Sequence, residues 1–358
     1  MIRAARAVSL VAGLALAGAC GGASTPAGGV DGPAATGDDG GTTDPGATSG
    51  SIPGVTDGGP VAPGPDTISI IVEPTDKAGA LLAAVQAAKT SVHMTMYLLD
   101  DPRFISALVA QHMAGRDVKV ILNKVFPGGF GTNQKAFTSL QTAGVAVTWA
   151  PTTFTLTHEK TVLLDGTSAW IMTMNLEVSS PQNREFLALD TQAADVAEAE
   201  AIFAADFAGT PMTPSGDLVV APVNARERLL QLIQGAKTSV DLEGEELSDY
   251  KIVNALSAAV GTGAKVRVVL SDNAPSAAQS TAVAQLKAAG VHVVSVGKPY
   301  IHAKAIVADG ARAYVGSENF TTGSLQYNRE LGLITSNVAS VTKVAQTIEQ
   351  DFASGNPL

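Results

Sequence analysis

His158-Glu159-Lys160-Thr161-Val162-Leu163-Leu164-Asp165-Gly166 returns later in the chain as His302-Ala303-Lys304-Ala305-Ile306-Val307-Ala308-Asp309-Gly310. Side chains two apart on a strand share a face, so each copy sets an imidazole beside an ammonium group. An apolar run follows, and then an Asp-Gly pair suited to a tight turn. A second strand, Ser168 to Asn175 or Arg312 to Asn319, runs back and carries Asn175 or Asn319 towards the His end of its hairpin.

Outward from this pair the repetition continues. Ala88-Lys89-Thr90-Ser91-Val92 matches Ala236-Lys237-Thr238-Ser239-Val240, and Val118-Lys119-Val120-Ile121-Leu122 matches Val266-Arg267-Val268-Val269-Leu270. Leu140 to Val145 matches Leu286 to Val291, and Asn183-Arg184-Glu185 matches Asn328-Arg329-Glu330. A period near 145 residues is too long for a solenoid, whose units run to about 20–50 residues, and marks a duplicated domain. The expected halves are 67–212 and 213–358. Helical and strand patterns alternate in each, which predicts an α/β layered fold.

Composition bounds the rest. Of 358 residues, 46% are hydrophobic and 16% charged, enough to bury sizeable cores. The formal charge is −10; setting aside the six aspartates of residues 21–66 and the arginines Arg3 and Arg6 leaves −6 on the remainder. A mildly acidic body weakens, without removing, a nucleic-acid reading. Residues 1–20 read as a signal peptide: Arg3 and Arg6 precede an apolar run to Ala19 that is too short to span a bilayer. Leu16-Ala17-Gly18-Ala19-Cys20 resembles a bacterial lipoprotein signal box, so lipidation of Cys20 and an exported, envelope-anchored protein on the outer membrane or periplasmic face are expected. Residues 21–66, rich in Gly, Pro, Thr and Asp, read as a disordered tether. With Cys20 the only cysteine, no thiol is left for a disulfide or a nucleophile.

The second copy completes a longer pattern: His302, Lys304, Asp309, then Gly316-Ser317-Glu318-Asn319. The first has Met172-Thr173-Met174-Asn175 at the matching place. Together they resemble the phospholipase D superfamily, marked by His-x-Lys, four residues, Asp, six residues and Gly-Ser-x-Asn once per half. The resemblance covers residues 67 to 358. It implies two α/β sandwich halves with mixed sheets about a pseudo-two-fold axis, and an active site at their interface. Thr173 preserves the hydroxyl of the pattern, while Met172 adds bulk where Gly is usual.

The resemblance also implies a chemistry. One neutral imidazole attacks phosphorus while the other, protonated, supplies the leaving alkoxide with its proton; water or an alcohol then releases the phosphohistidine. By analogy with the family, His158 attacks and His302 serves as acid and base. Lys160, Lys304, Asn175 and Asn319 would hold the phosphoryl oxygens, with Thr173 and Ser317 beside them. Glu185 and Glu330, placed downstream of the two motifs, would orient the histidines. Asp165 and Asp309 belong to the motif and are counted with the catalytic set, although an Asp-Gly turn leaves a purely hairpin-supporting role equally open. His93, His112 and His292 have no ligand spacing and read as ordinary surface or packed residues; no metal and no cofactor are expected. The Gly-rich loop from Phe126 to Gly131 reads as a lip at the site mouth or a plain connection.

A phospholipid substrate, a membrane reached through the lipid anchor and a single copy of the chain are therefore expected. The alternatives are a nuclease on DNA or RNA, a cardiolipin-synthase-like phosphatidyltransferase, and a noncatalytic head-group-binding module.

Overall fold

The computed structural model describes residues 68–127, 132–273 and 275–358. The expected signal peptide, Cys20, the tether and Gly128 to Gly131 with Phe130 lie outside the described residues.

The first half runs β1 (Ile68–Glu73), α1 (Gly79–Ala87), β2 (Ser91–Met96), α2 (Pro102–Met113), β3 (Asp117–Leu122), α3 (Gln134–Thr142), β4 (Ala146–Trp149), β5 (Lys160–Leu164), β6 (Ser168–Met172), β7 (Glu185–Asp190) and α4 (Ala193–Ala208). The second runs β8 (Val219–Ala221), α5 (Ala225–Gly235), β9 (Ser239–Gly244), α6 (Tyr250–Gly261), β10 (Lys265–Ser271), α7 (Ala277–Ala288), β11 (His292–Val296), β12 (Lys304–Ala308), β13 (Arg312–Gly316), α8 (Thr322–Tyr327), β14 (Glu330–Thr335), α9 (Val338–Ser354) and β15 (Asn356–Pro357).

Each half builds one mixed sheet, ordered β1-β7-β6-β5-β2-β3-β4 and β15-β11-β10-β9-β12-β13-β14-β8. In each, three strands joined by helical crossovers are parallel (β2, β3, β4; β9, β10, β11), and the motif hairpin adds antiparallel strands beside them. Parallel neighbours need a crossover whereas a two-residue turn forces antiparallel ones, so the mixed sheet follows from the order of helices and turns in the chain. The duplicated α/β fold expected from the sequence is the one observed.

The turns repeat as faithfully as the strands. Asp165 and Asp309 sit in the left-handed region at φ 57° and 56°, each followed by a left-handed glycine. Each carboxylate accepts the backbone N–H groups of the Lys-Thr-Ser segment ahead of the parallel strands: Lys89, Thr90 and Ser91 in one half, Lys237, Thr238 and Ser239 in the other. After the central strand of each half, an aspartate caps the next helix: Asp101 accepts from Arg103 N, and Asp249 from Lys251 N and Ile252 N. Such caps contribute about 1 kcal/mol each and fix where the chain leaves the sheet, beside the site.

Three cores result. Two lie under each half's own helices, one around Leu81, Phe104 and Met94, the other around Leu229, Ile252 and Leu242. The third is shared: Ile171, Phe186 and Ala188 of the first sheet pack with Val315, Leu331 and Leu333 of the second, flanked by Phe203 of α4 and Ile348 of α9. Full burial of a side chain such as Phe186 or Leu331 stabilises by about 1.5–3 kcal/mol. A shared core makes the described residues from 68 to 358 one compact unit rather than two beads. No helix among the described residues is long and apolar enough to cross a membrane.

Candidate active site

The two motif strands begin at the seam between the halves. Just before β5, His158 N and Glu159 N donate to Arg329 O at 2.9 and 3.1 Å; just before β12, His302 N donates to Arg184 O at 3.2 Å. Each histidine is thus pinned by backbone belonging to the opposite half. The same exchange continues through side chains. His158 Nδ1 donates to Glu330, 2.9 Å from Oε2, and His302 Nδ1 lies 2.8 Å from Glu185 Oε1. The two glutamates foreseen as orienting groups are present but crossed: each serves the histidine of the other motif.

With a carboxylate on Nδ1, the hydrogen of a neutral imidazole sits there, and the Nε2 lone pair faces the site. Both histidines are buried, with 9% and 8% of their surface exposed, leaving access for a reacting group. Burial pushes His158 down to about 4, Lys160 and Lys304 adding to the effect and Glu330 opposing it. Glu330 is itself held below the usual carboxylate range by His158 and Lys160, against the contrary pull of its burial. An ionised Glu330 accepting from a neutral His158 satisfies both directions.

The lysines are fully buried, and each donates to the backbone carbonyl of its own motif histidine. Burial first, and then the charge of Lys304, lowers Lys160 to about 7. Lys304 also depresses His158, so the two half-sites are electrostatically one. Asn175 and Asn319, brought back by the second strands, each keep a buried Oδ1 without a hydrogen-bond partner; Asn175 Nδ2 donates to Glu177 at 3.2 Å. The charge of Lys304 reaches both His158 and Lys160, so the two imidazoles and two ammonium groups lie within electrostatic reach of one another across the seam.

The supports differ between halves. Thr173 Oγ1 donates to Glu185 Oε2 at 2.5 Å, so this hydroxyl braces the carboxylate that orients His302. Ser317 at the equivalent place accepts from Leu331 N, and Glu330 is braced instead by Ser324 and Asn328 at 2.6 and 3.1 Å. Met172 points away from the site into the core with Trp170, Met174 and Leu187. Its counterpart Gly316 makes room for a buried pair in which Tyr314 donates to Glu318: a Cβ on Gly316 would lie 2.5 Å from both the Glu318 carboxylate and the Tyr314 hydroxyl. The bulk of Met172 is therefore matched by the absence of that polar pair, and the first half-site keeps its shape.

Asp165 and Asp309 stand apart from the others. They close the far ends of β5 and β12, roughly 16 Å from Lys160 and Lys304 at ~3.3 Å per residue, with their oxygens spent on backbone N–H groups. Counting them as catalytic is corrected: they are hairpin supports, because a carboxylate saturated by fixed donors at a remote turn has no route to the reacting atoms. His93 bridges Glu200 at 2.7 Å and stacks on Phe203, while His112 packs under Gly144 and His292 is exposed. Among the described residues no three His, Cys, Asp or Glu side chains are grouped to hold a metal ion.

Several residues at the site escaped the sequence reading. Tyr97 lies edge-on to His158, with ring centroids 4.5 Å apart and Lys160 Nζ 4.9 Å from its ring. Glu245 lies 3.0 Å from Lys304 Nζ, and Tyr300 donates to it at 2.7 Å. Arg329 forms a two-point pair with Asp206 at 2.7 and 3.1 Å, and Arg184 one with Asp351 at 2.5 and 3.0 Å, each joining one half to the last helix of the other. The signal for the latter was present: Asp206-Phe207-Ala208 recurs as Asp351-Phe352-Ala353 at the repeat period. Phe126 touches Tyr97, which places the start of the Gly-rich loop beside the site.

Known proteins match this chain along the same lines. A family model described as cardiolipin synthase, PLD-like domain, matches residues 81–207 and again 229–354. A mitochondrial cardiolipin hydrolase of Xenopus tropicalis is 34% identical over 137 residues, 37% of this chain and 64% of that protein, so the match spans less than two thirds of that relative's length. A cardiolipin synthase of Listeria monocytogenes is 21% identical over 336 residues, covering 80% of this chain and 68% of that protein. Among solved structures, a phosphatidylserine synthase of Haemophilus influenzae superposes with a TM-score of 0.64 at 11% identity, over 82% of this chain and 87% of that one.

Proposed function

The chain belongs to the phospholipase D superfamily, and from that premise we propose that it cleaves phospholipid head groups, or passes the phosphatidyl group to an alcohol, through a phosphohistidine. The observation that carries this reading is the crossed pair of imidazoles, each hydrogen-bonded through Nδ1 to a buried carboxylate of the opposite repeat. His158 Nε2 gives its lone pair to phosphorus and the bond to the head-group oxygen breaks. That oxygen takes the proton from His302 Nε2. Water, or an alcohol, then loses a proton to His302 as it attacks phosphorus, and the P–N bond electrons return to His158. Lys160, Lys304, Asn175 and Asn319 bind the phosphoryl oxygens. The steps use only side chains of this chain.

Phospholipid is preferred because relatives named for cardiolipin match the chain. The acid side of the site also carries Glu245, held ionised beside Lys304 and His302, a poor lining for a polyanionic nucleic acid. Transfer to an alcohol is the second reading, favoured by the synthase relative that aligns along most of the chain. Lipidation of Cys20, supported by the sequence around it, would hold the site at a bilayer surface; mass spectrometry of the mature N-terminus checks it.

The test is head-group release from phosphatidylcholine, phosphatidylethanolamine and phosphatidylglycerol vesicles with EDTA present, and phosphatidylglycerol or cardiolipin formation when glycerol or phosphatidylglycerol is the acceptor. Activity in wild type that vanishes in His158→Ala and His302→Ala supports the reading. Untouched lipid alongside cleaved DNA replaces it with a nuclease.

A further inference from the structure

The two halves differ most at one position of the site. Tyr97 and Glu245 each follow the central strand of their sheet, and each donates its backbone N–H, at 3.1 Å, to the carbonyl of the residue after a motif histidine, Glu159 or Ala303. The same slot holds an aromatic ring beside His158 and a carboxylate beside His302. Glu245 Oε2 lies 3.5 Å from His302 Nε2 and 3.0 Å from Lys304 Nζ. Its other oxygen accepts from Tyr300, whose hydroxyl also accepts from Asn273 and whose ring stacks on His302.

We propose that Glu245 is the positioning residue that divides the labour of the two histidines, keeping a proton on His302 Nε2 and thereby making His302 the acid and His158 the nucleophile. This rests on the two-histidine reading above and deepens it. A carboxylate at that distance stabilises the hydrogen-bearing, cationic imidazole, whereas the uncharged edge of Tyr97 gives His158 no such help. The other groups facing the pair leave this difference standing. Both histidines have a glutamate on Nδ1, Glu185 or Glu330, and both have their own lysine adjacent. Glu246 and Glu177 also lie within electrostatic reach of His302, but burial raises both, Glu246 to about 7, so Glu245 is the carboxylate on that side that stays fully ionised. His158 instead feels Lys160 and Lys304. Against the pull of burial, Lys304 and His302 keep Glu245 ionised well below the usual carboxylate range.

The experiment uses two substrates on the full chain: a choline phosphodiester, whose alkoxide must be protonated to leave, and a p-nitrophenyl alkyl phosphodiester, whose phenolate leaves unaided. In Glu245→Gln the alkaline limb of kcat/KM for the choline ester moves down by about one pH unit, a tenfold loss above it, while the p-nitrophenolate burst stays within about twofold. Tyr300→Phe, which keeps the carboxylate but loosens it, shows the same split at smaller size. Intact-protein mass after the p-nitrophenyl ester finds an alkylphosphoryl adduct on His158 in His302→Ala and none in His158→Ala. Equal losses on both substrates in both variants, or no change in either, overturn the role of Glu245. An adduct on His302 in His158→Ala reverses the order of the histidines and overturns it too, while the two-histidine reading survives. No adduct in any variant, with an inactive wild type, sinks that reading itself.

Discussion

The two repeats fold alike and are built differently inside. In the first, the face beneath the motif hairpin is apolar throughout: Trp170, Met172, Met174 and Leu187. In the second, the corresponding Tyr314, Gly316, Glu318 and Gly332 enclose a hydrogen-bonded Tyr–Glu pair, with both glycines needed for its room. Beside the motif histidines the first half offers Tyr97 and the second Glu245. Duplication supplies two equal half-sites, but a reaction through a covalent intermediate needs a nucleophile and an acid. In the reaction proposed above, divergence at positions outside the shared motif would let one architecture do both, with backbone register holding the histidines while neighbouring side chains set their charge.

Each orienting glutamate serves the histidine of the opposite repeat, so its loss is felt across the seam. Glu330→Gln removes the partner of His158 and Glu185→Gln that of His302; each is expected to lower kcat by on the order of 100-fold or more. The crossed contacts predict that Glu330→Gln slows the p-nitrophenolate burst, whereas Glu185→Gln spares the burst and slows turnover. The reverse result in rapid-mix kinetics would mean that each glutamate serves its own motif.

The interface pairs come next. Removing one member of a buried ion pair costs about 3–5 kcal/mol. Arg329→Ala should sit at the upper end and Arg184→Ala at the lower, since the side chain of Arg329 is 4% exposed and that of Arg184 12%. Urea unfolding measures the order, and equal small losses would show that the shared apolar core alone joins the halves.

Burial, helped by the charge of Glu330, raises Glu318 to about 8, whereas Met174 at the matching place cannot titrate. A carboxyl whose folded value is raised contributes its full share below the unfolded value, near 4.5, and that share is lost as pH rises through about 8. Wild type should therefore lose stability between pH 5 and pH 8 relative to Glu318→Gln, by on the order of 2 kcal/mol. Thermal melts at the two pH values test this; parallel curves would refute it.

The smallest effect concerns the turns, where the halves agree. Backbone N–H groups hold Asp165 and Asp309 below the usual carboxylate range despite some opposing desolvation. Their stabilisation is present above the unfolded value, about 3.9, and fades as pH falls below it. Asp165→Asn and Asp309→Asn should each cost about 1 kcal/mol in chemical denaturation and leave kcat within about twofold. A large loss of activity without unfolding would return these residues to the catalytic set.

Period, alternation and spacing carried the duplication, the α/β layering and the motif strands, since these are local properties that survive without knowing what packs where, whereas His158, Lys160, Asn175, His302, Lys304 and Asn319 were singled out by their resemblance to a family motif. Asp165 and Asp309 were legible as turn residues but not separable from catalysts, since spacing along a strand does not say which end meets the partner half. Glu245, Tyr97, Tyr300 and the Arg–Asp pairs were invisible or unassigned, because each acts on residues more than fifty positions away or in the other repeat. Which glutamate serves which histidine is a property of the packed halves. Two near-identical halves give equal local signals for either pairing, and the choice is made just before β5 and β12, where His158 N and His302 N donate to the carbonyls of Arg329 and Arg184 in the opposite half.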